Sequence, residues 1–215
     1  MFRGFSANCY LIKTGNGFVL IDSGGKSGRK RLEQEMKNAG CVPGGLRLVL
    51  LTHGDFDHAG NCAYLREKFK AKIAMHQDDS GMVEYEDMFW NRKSGNLIAK
   101  KIVRLLFRLE TFTPDFTVDE HADLSEYGLD ATILHVPGHS KGSIAILTGS
   151  GDLFCGDLLT NKKRPEPNWM ADDPETLQES IRSLSNYRIK TVYPGHGPCF
   201  SIDSILNELP CEKPF

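Results

Sequence analysis

The segment Thr52-His-Gly-Asp-Phe-Asp-His-Ala-Gly60 carries His53, Asp55, Asp57 and His58 within six residues. Imidazole nitrogens and carboxylate oxygens are the donors that divalent metals such as zinc, iron and manganese take. One such residue on a loop is ordinary, since a histidine at a strand end often only caps or titrates. Four together, with Gly54 and Gly60 permitting a tight turn, read as a metal cradle. Three more residues share the local grammar. His139 lies in Leu134-His-Val-Pro-Gly-His139, Asp157 in Leu153-Phe-Cys-Gly-Asp157, and His196 in Val192-Tyr-Pro-Gly-His196. Each follows a short apolar run and a Gly or Pro-Gly break, so four strand ends are expected to deliver donors to one edge of the fold.

In order and spacing these residues resemble the metallo-β-lactamase superfamily, whose signature H-x-H-x-D-H is followed by a downstream His, Asp and His. The matching positions are His53, Asp57, His58, His139, Asp157 and His196. Val19-Leu-Ile-Asp22-Ser-Gly and Gly138-His-Ser-Lys-Gly-Ser143 also look like recurrent segments of that family, and the likeness runs from about Asn8 to His196. One position departs: Asp55 stands where the family normally has its second histidine. The resemblance implies a first metal site of His53, Asp55 and His139 and a second of Asp57, His58 and His196, with Asp157 bridging. It implies two divalent ions per chain, zinc first. Iron or manganese is admitted because a carboxylate at position 55 hardens the site and adds negative charge. The chemistry implied is hydrolysis by a hydroxide shared between the ions, with Asp57 orienting it and accepting a proton. A small ester-like substrate is expected, such as a thioester, a lactone or a related carboxylic derivative.

These donors must be positioned by a strand-rich chain. Asn8-Cys-Tyr-Leu-Ile-Lys and Gly17-Phe-Val-Leu-Ile-Asp22, around Thr14-Gly-Asn-Gly17, read as a hairpin. A helix with Leu32, Met36 and Ala39 on one face and Gly40 as its stop follows. Further strands are expected at 46–52, 72–76, 116–118, 131–136, 143–148, 152–155 and 190–193, with a helix from about Ala59 to Phe69. Asp173-Pro174 opens a helix with the stripe Leu177, Ile181 and Leu184, and Ile202 to Leu209 closes the chain as a short helix. Hairpin-length connections are too frequent for strict βαβ alternation. The expected class is therefore α/β, which the resemblance refines to a four-layer αββα sandwich of two mixed sheets flanked by helices. A single domain over 1–215 is expected, with an insertion at about 77–115 read as a helical lid from Asn96 to Leu109. Its Lys100, Arg104 and Arg108, with Arg92, Lys93 and Lys101 nearby, suit a solvated face, an anionic substrate or a membrane surface.

Composition sets limits on function. The chain has 215 residues, 26 Lys plus Arg against 28 Asp plus Glu, and a formal charge of -2. That balance disfavours a protein built to grip nucleic acid, whose affinity comes from neutralising phosphates. The six cysteines include no C-x-x-C pair, and the start shows no basic-then-apolar leader. Together with the lack of a run approaching the ~20 apolar residues of a membrane span, this gives a cytoplasmic protein as the expectation. The partner is then a small molecule, with an anionic one favoured by the basic insertion. Gly25-Lys26-Ser27 is not a P-loop, because position 20, where the motif needs glycine, is Leu. His76, His121 and His135 fall outside the pattern, His135 being read as a structural histidine in a strand. Cys155 and Cys199 are read as small core thiols. Two other readings stay open: a di-iron oxygen-reducing protein fed by a separate electron donor, and a metal-binding recognition protein with weak hydrolysis. The glutathione thioester hydrolases of the superfamily carry a helical C-terminal domain, for which the stretch after His196 is too short.

Overall fold

In the computed structural model, residues 7–93 and 109–206 are described. Strands β1 (Tyr10–Thr14) and β2 (Gly17–Ile21) form the expected antiparallel hairpin, Tyr10 opposite Ile21 and Thr14 opposite Gly17. β3 (Leu46–Leu50), β4 (Lys72–Met75) and β5 (Phe116–Thr117) add in parallel, giving a sheet ordered β1-β2-β3-β4-β5. A second mixed sheet contains β6 (Ala131–His135), β7 (Ile144–Thr148), β8 (Asp152–Thr160), β9 (Glu166–Pro167), β10 (Thr191–His196) and β11 (Phe200–Ser201). Its order is β11-β10-β8-β7-β6, with β9 on β8 and only β8 and β10 parallel.

The pleat explains why these strands read as continuous apolar runs. Val19, Ile21, Leu48 and Leu50 turn inward to meet Ile133, Ile144, Ile146 and Phe154 of the other sheet. Their neighbours Leu20, Val49 and Leu51 turn outward, with Met36, Leu65 and Phe69 in the same apolar cluster. On the far side Leu134, Leu153 and Val192 cluster with Leu177, Ile181 and Leu184. Strands buried on both faces have no polar alternation to show. The helices that cover the first sheet include α1 (Arg29–Asn38) and α3 (Cys62–Phe69), and α5 (Pro174–Ser183) covers the second. The architecture is the expected four-layer αββα sandwich. α6 (Asp203–Leu206) ends the described chain.

Several boundaries moved. The helix expected from Ala59 is broken at Gly60 into α2 (Phe56–Ala59) and α3. A Cβ at Gly60 would meet Phe56 O at 2.6 Å and Gly24 O at 2.9 Å, so the chain can pass there only as glycine. β8 does not stop at Cys155 but continues to Thr160, taking Gly156 in a left-handed conformation (φ 51°). Ala39 is exposed beyond the end of α1 rather than part of its core stripe, and Cys199 is exposed rather than core. The polar stretch after β4 contains a helix the pattern did not announce, α4 (Gln77–Glu84), its first turn acidic and its cap supplied by His76, whose Nδ1 accepts from Asp78 N–H at 3.2 Å. Of the expected lid helix from Asn96 to Leu109, residues 96–108 lie outside the described residues.

Candidate metal centre

β3 delivers the first donors. Its continuation, Thr52, is pinned by Asp22 at the end of β2: Thr52 N–H donates to Asp22 Oδ1 at 2.9 Å and its hydroxyl to Oδ2 at 2.8 Å. Asp22 adopts φ 55°, a conformation rare for a residue with a side chain. With its hydrogen given to Asp22, Thr52 Oγ1 accepts from His53 Nδ1–H at 3.0 Å, which leaves His53 Nε2 as a bare lone pair. Burial first, then the charge of His58, pushes the His53 pKa down, so the ring is neutral. Its Nε2 is buried with no hydrogen-bond partner. That is the state of a nitrogen waiting for a cation rather than for a proton.

Asp22 also takes His58 Nδ1–H at 2.8 Å, turning His58 Nε2 toward Asp157 Oδ1 at 3.3 Å. Burial works against a charged His58, but Asp22 and Asp157 on either side raise its pKa well above the usual value. The proton on Nε2 is therefore the one a metal would displace. Asp57 and His58 lie in α2, one turn that places them on adjacent faces. Asp57 Oδ2 stands 3.3 Å from His196 Nε2.

Asp157 lies inside β8 rather than at a strand end. β8 carries extra residues against β10 around Gly156, and such bulges re-aim side chains. A Cβ on Gly156 would strike Thr52 Oγ1 at 2.5 Å, and one on Gly195 would lie 2.4 Å from Asp157 Oδ1. Backbone thus approaches the centre where no side chain fits. Asp157 Oδ2 sits 3.5 Å from His196 Nε2 and 3.9 Å from His139 Nε2, and accepts from Asn168 Nδ2 at 3.0 Å. Asn8 side-chain N–H groups hold Pro194 O and Gly197 O at 3.0 and 2.8 Å, fixing the turn that presents His196.

Asp55 completes the group. Its Oδ2 is 3.2 Å from His139 Nε2 and 3.6 Å from His53 Nε2, while its Oδ1 accepts from Arg92 Nη2 at 2.8 Å. Burial would raise the Asp55 carboxyl, but Arg92 first and then a hydrogen bond from His139 hold it well below the usual carboxylate range. Arg92 was expected on a solvated face; its side chain is only 11% exposed. Its pairing alters the expected charge balance, because a carboxylate joined to a guanidinium carries no more net charge than the histidine it replaces.

All seven residues singled out in the sequence therefore converge. Donor atoms of His53, Asp55 and His139, of Asp57, His58 and His196, and of His53, His58 and Asp157 each lie within 4.8 Å of one another. The closest gaps, 3.2 to 3.6 Å, match the roughly 3.4 Å between donors that share one tetrahedral zinc ion at ~2.1 Å. Buried and without hydrogen-bond partners are His53 Nε2, His58 Nε2 and Asp157 Oδ1. Donor chemistry, spacing and these orphaned atoms fit a pair of divalent ions.

Six supporting residues were not expected at the centre: Asn8, Asp22, Thr52, Arg92, Asn168 and Asp79. Asp22 carried a signal, a carboxylate directly after a buried strand of a parallel pair. Arg92 carried none, since nothing local ties it to a carboxylate 37 positions earlier. Asp79, fully buried in α4, accepts from Gly54 N–H, Ser140 Oγ–H and Gly142 N–H at 3.2, 2.6 and 2.8 Å. It joins the loop of His53 and Asp55 to the loop of His139.

The model of the metallo-beta-lactamase superfamily matches residues 2–196. Among curated proteins, the chain is 28% identical over 186 residues to hydroxyacylglutathione hydrolase GloC of Haemophilus influenzae, covering 83% of this chain and 79% of that one. It is 24% identical over 231 residues to acyl-coenzyme A thioesterase MBLAC2 of Bos taurus, covering 94% and 77%. Among solved structures, TTHA1623 in a di-iron-bound form superposes with a TM-score of 0.71 at 28% identity, covering 97% of this chain and 96% of that one.

Proposed function

The chain belongs to the metallo-beta-lactamase superfamily, and from that premise we propose a binuclear metal-dependent hydrolase that cleaves a small thioester or a related carboxylic derivative. The observation that carries the reading is the set of buried nitrogen and oxygen donors converging at 3.2 to 3.6 Å, several of them without hydrogen-bond partners. His53, Asp55 and His139 would hold one ion and Asp57, His58 and His196 the other, with Asp157 between them. Zinc is the first choice. Asp55 keeps iron in the set, and the di-iron form of a similar protein supports that. When bound, two such ions make water a nucleophile at neutral pH and polarise a carbonyl.

The chain's own residues do the rest. Asp57, its Oδ2 3.3 Å from His196 Nε2, would accept the proton lost in the attack. Asn168 holds Asp157 Oδ2, and Asp22 holds His58, so both side chains keep their orientation through turnover. Arg92 supplies a cationic wall beside the centre, its Nε buried and unpartnered, which suits an anionic acyl donor. Thioesters lead the substrate list because two relatives of this kind hydrolyse them by name, one on glutathione and one on coenzyme A. The glutathione-acting relative is matched over 79% of its own length, which supports an acyl-glutathione in the substrate panel.

The test joins metal content to turnover. Protein purified without added metal is measured by plasma mass spectrometry and assayed on acyl-glutathione, acyl-coenzyme A and lactone panels. About two ions per chain and thioester turnover that stops on chelation is the expected result. Two ions with no hydrolysis of any ester-like compound would overturn the proposal.

A further inference from the structure

A second group of metal-capable side chains lies outside this centre. His76 follows β4 directly as the cap of α4, Asp78 is in the first turn of α4, and His135 ends β6. One donor atom from each lies within 4.8 Å of the other two. The imidazoles stack, with centroids 4.4 Å apart and planes 8° from parallel. His135 Nε2 lies 2.8 Å from Lys141 O, an acceptor only, so Nε2 carries the proton and Nδ1 offers a lone pair. Backbone carbonyls fix the tautomer of metal-binding histidines in this way. Burial, then the neighbouring His135, pushes the His76 pKa down, which favours its neutral, metal-binding form. Its Nδ1 accepts a long, exposed hydrogen bond from Asp78 N–H at 3.2 Å, which water can replace.

We propose that His76, Asp78 and His135 form an ancillary site for a divalent transition metal of the zinc class, separate from the main centre, that clips one β-sheet to the other. Two imidazoles and a carboxylate match the donor set of zinc, nickel or copper, and water fills the remaining positions. Donors on one ion stand about 3.4 Å apart; with His135 held by Lys141 O, the half-buried His76 ring must turn out of the stack and the exposed Asp78 rotate to close the remaining gap. The position gives the clip a consequence. β4 belongs to the first sheet and β6 to the second. His76 lies three residues before Asp79, and His135 four before His139. An ion here therefore sits at the root of α4, whose Asp79 holds the loops of Gly54 and Ser140, and of the loop that carries His139.

The test uses the full chain with its main centre saturated, titrated with zinc by calorimetry. One further equivalent is expected in the wild type. Asp78→Asn, an exposed change that leaves the fold intact, is expected to weaken that equivalent about ten- to a hundredfold, and His76→Ala/His135→Ala to abolish it. Zinc at a hundredfold excess over Kd should raise the wild-type Tm by roughly 5 °C and leave that of the double variant unchanged. No additional equivalent in the wild type overturns the site, as does equal uptake by wild type and both variants. Because the main centre is filled beforehand, its metal count reports separately.

Discussion

The side chain of Asp55 is shared between two kinds of cation. One oxygen faces the imidazoles of His53 and His139, and the other holds Arg92 at 2.8 Å. Replacing Asp55 alone by histidine would restore the family's usual residue but leave a buried guanidinium unpaired. Losing one partner of a buried pair costs about 3–5 kcal/mol, so the metal-free Tm of Asp55→His should fall by roughly 10 °C. Arg92→Gln in the same chain should recover most of the loss, and that double variant should favour zinc over iron in competition. Thermal scans of the four-member cycle decide it, and purely additive effects would dismiss the coupling. Asp157→Ala should leave one ion per chain instead of two by mass spectrometry, since its two oxygens face different histidines. The seven clustered donors were legible because local spacing carries them. Arg92 and Asn168 were not, because each meets its partner only after the chain has folded back.

At the scale of elements, α5 was the most legible: Asp173 caps it, its side chain accepting from Thr176 N–H at 3.2 Å, with Pro174 at its first position. Asp173→Ala should cost about 1 kcal/mol. By contrast, α4 was missed. It is only eight residues long, with two buried apolar side chains and a buried aspartate in place of a stripe. That aspartate is the reason the helix matters. Asp79→Asn would turn an amide donor toward groups that are themselves donors, costing about 1–3 kcal/mol. The expected result is a lower Tm together with weaker metal retention under chelator challenge. A lower Tm with unchanged retention would mean that α4 supports only the fold. The full length of β8 was hidden because Gly156 looked like its end, whereas it is the bend that lets the strand continue past Thr52.

Across the whole molecule, the sandwich class followed from the mixture of hairpins and buried strands, but the closeness of the two sheets at the centre did not. Placing so many carboxylates and imidazoles in one buried region makes the metal-free protein sensitive to pH. Burial pulls the His196 pKa down, yet Asp157 and Asp57 outweigh it and raise it from 6.5 to about 9. A group raised in the folded state stabilises fully below its unfolded value and less as pH climbs through the folded one. The metal-free Tm should therefore decline between pH 6.5 and 9 as His196 titrates. The metal-loaded Tm should not follow it, because bound ions replace those protons. Calorimetric scans of chelated and loaded protein across that range test this, and parallel curves would refute it.

Asp22 touches no donor atom of the first group directly, yet it orients both halves of the centre, His58 by its own oxygen and His53 through Thr52. Filling either half stiffens the one carboxylate on which the other depends. Metal uptake should accordingly be steep, with a Hill coefficient above one and few singly loaded molecules, and Asp22→Asn should split it into two separate steps.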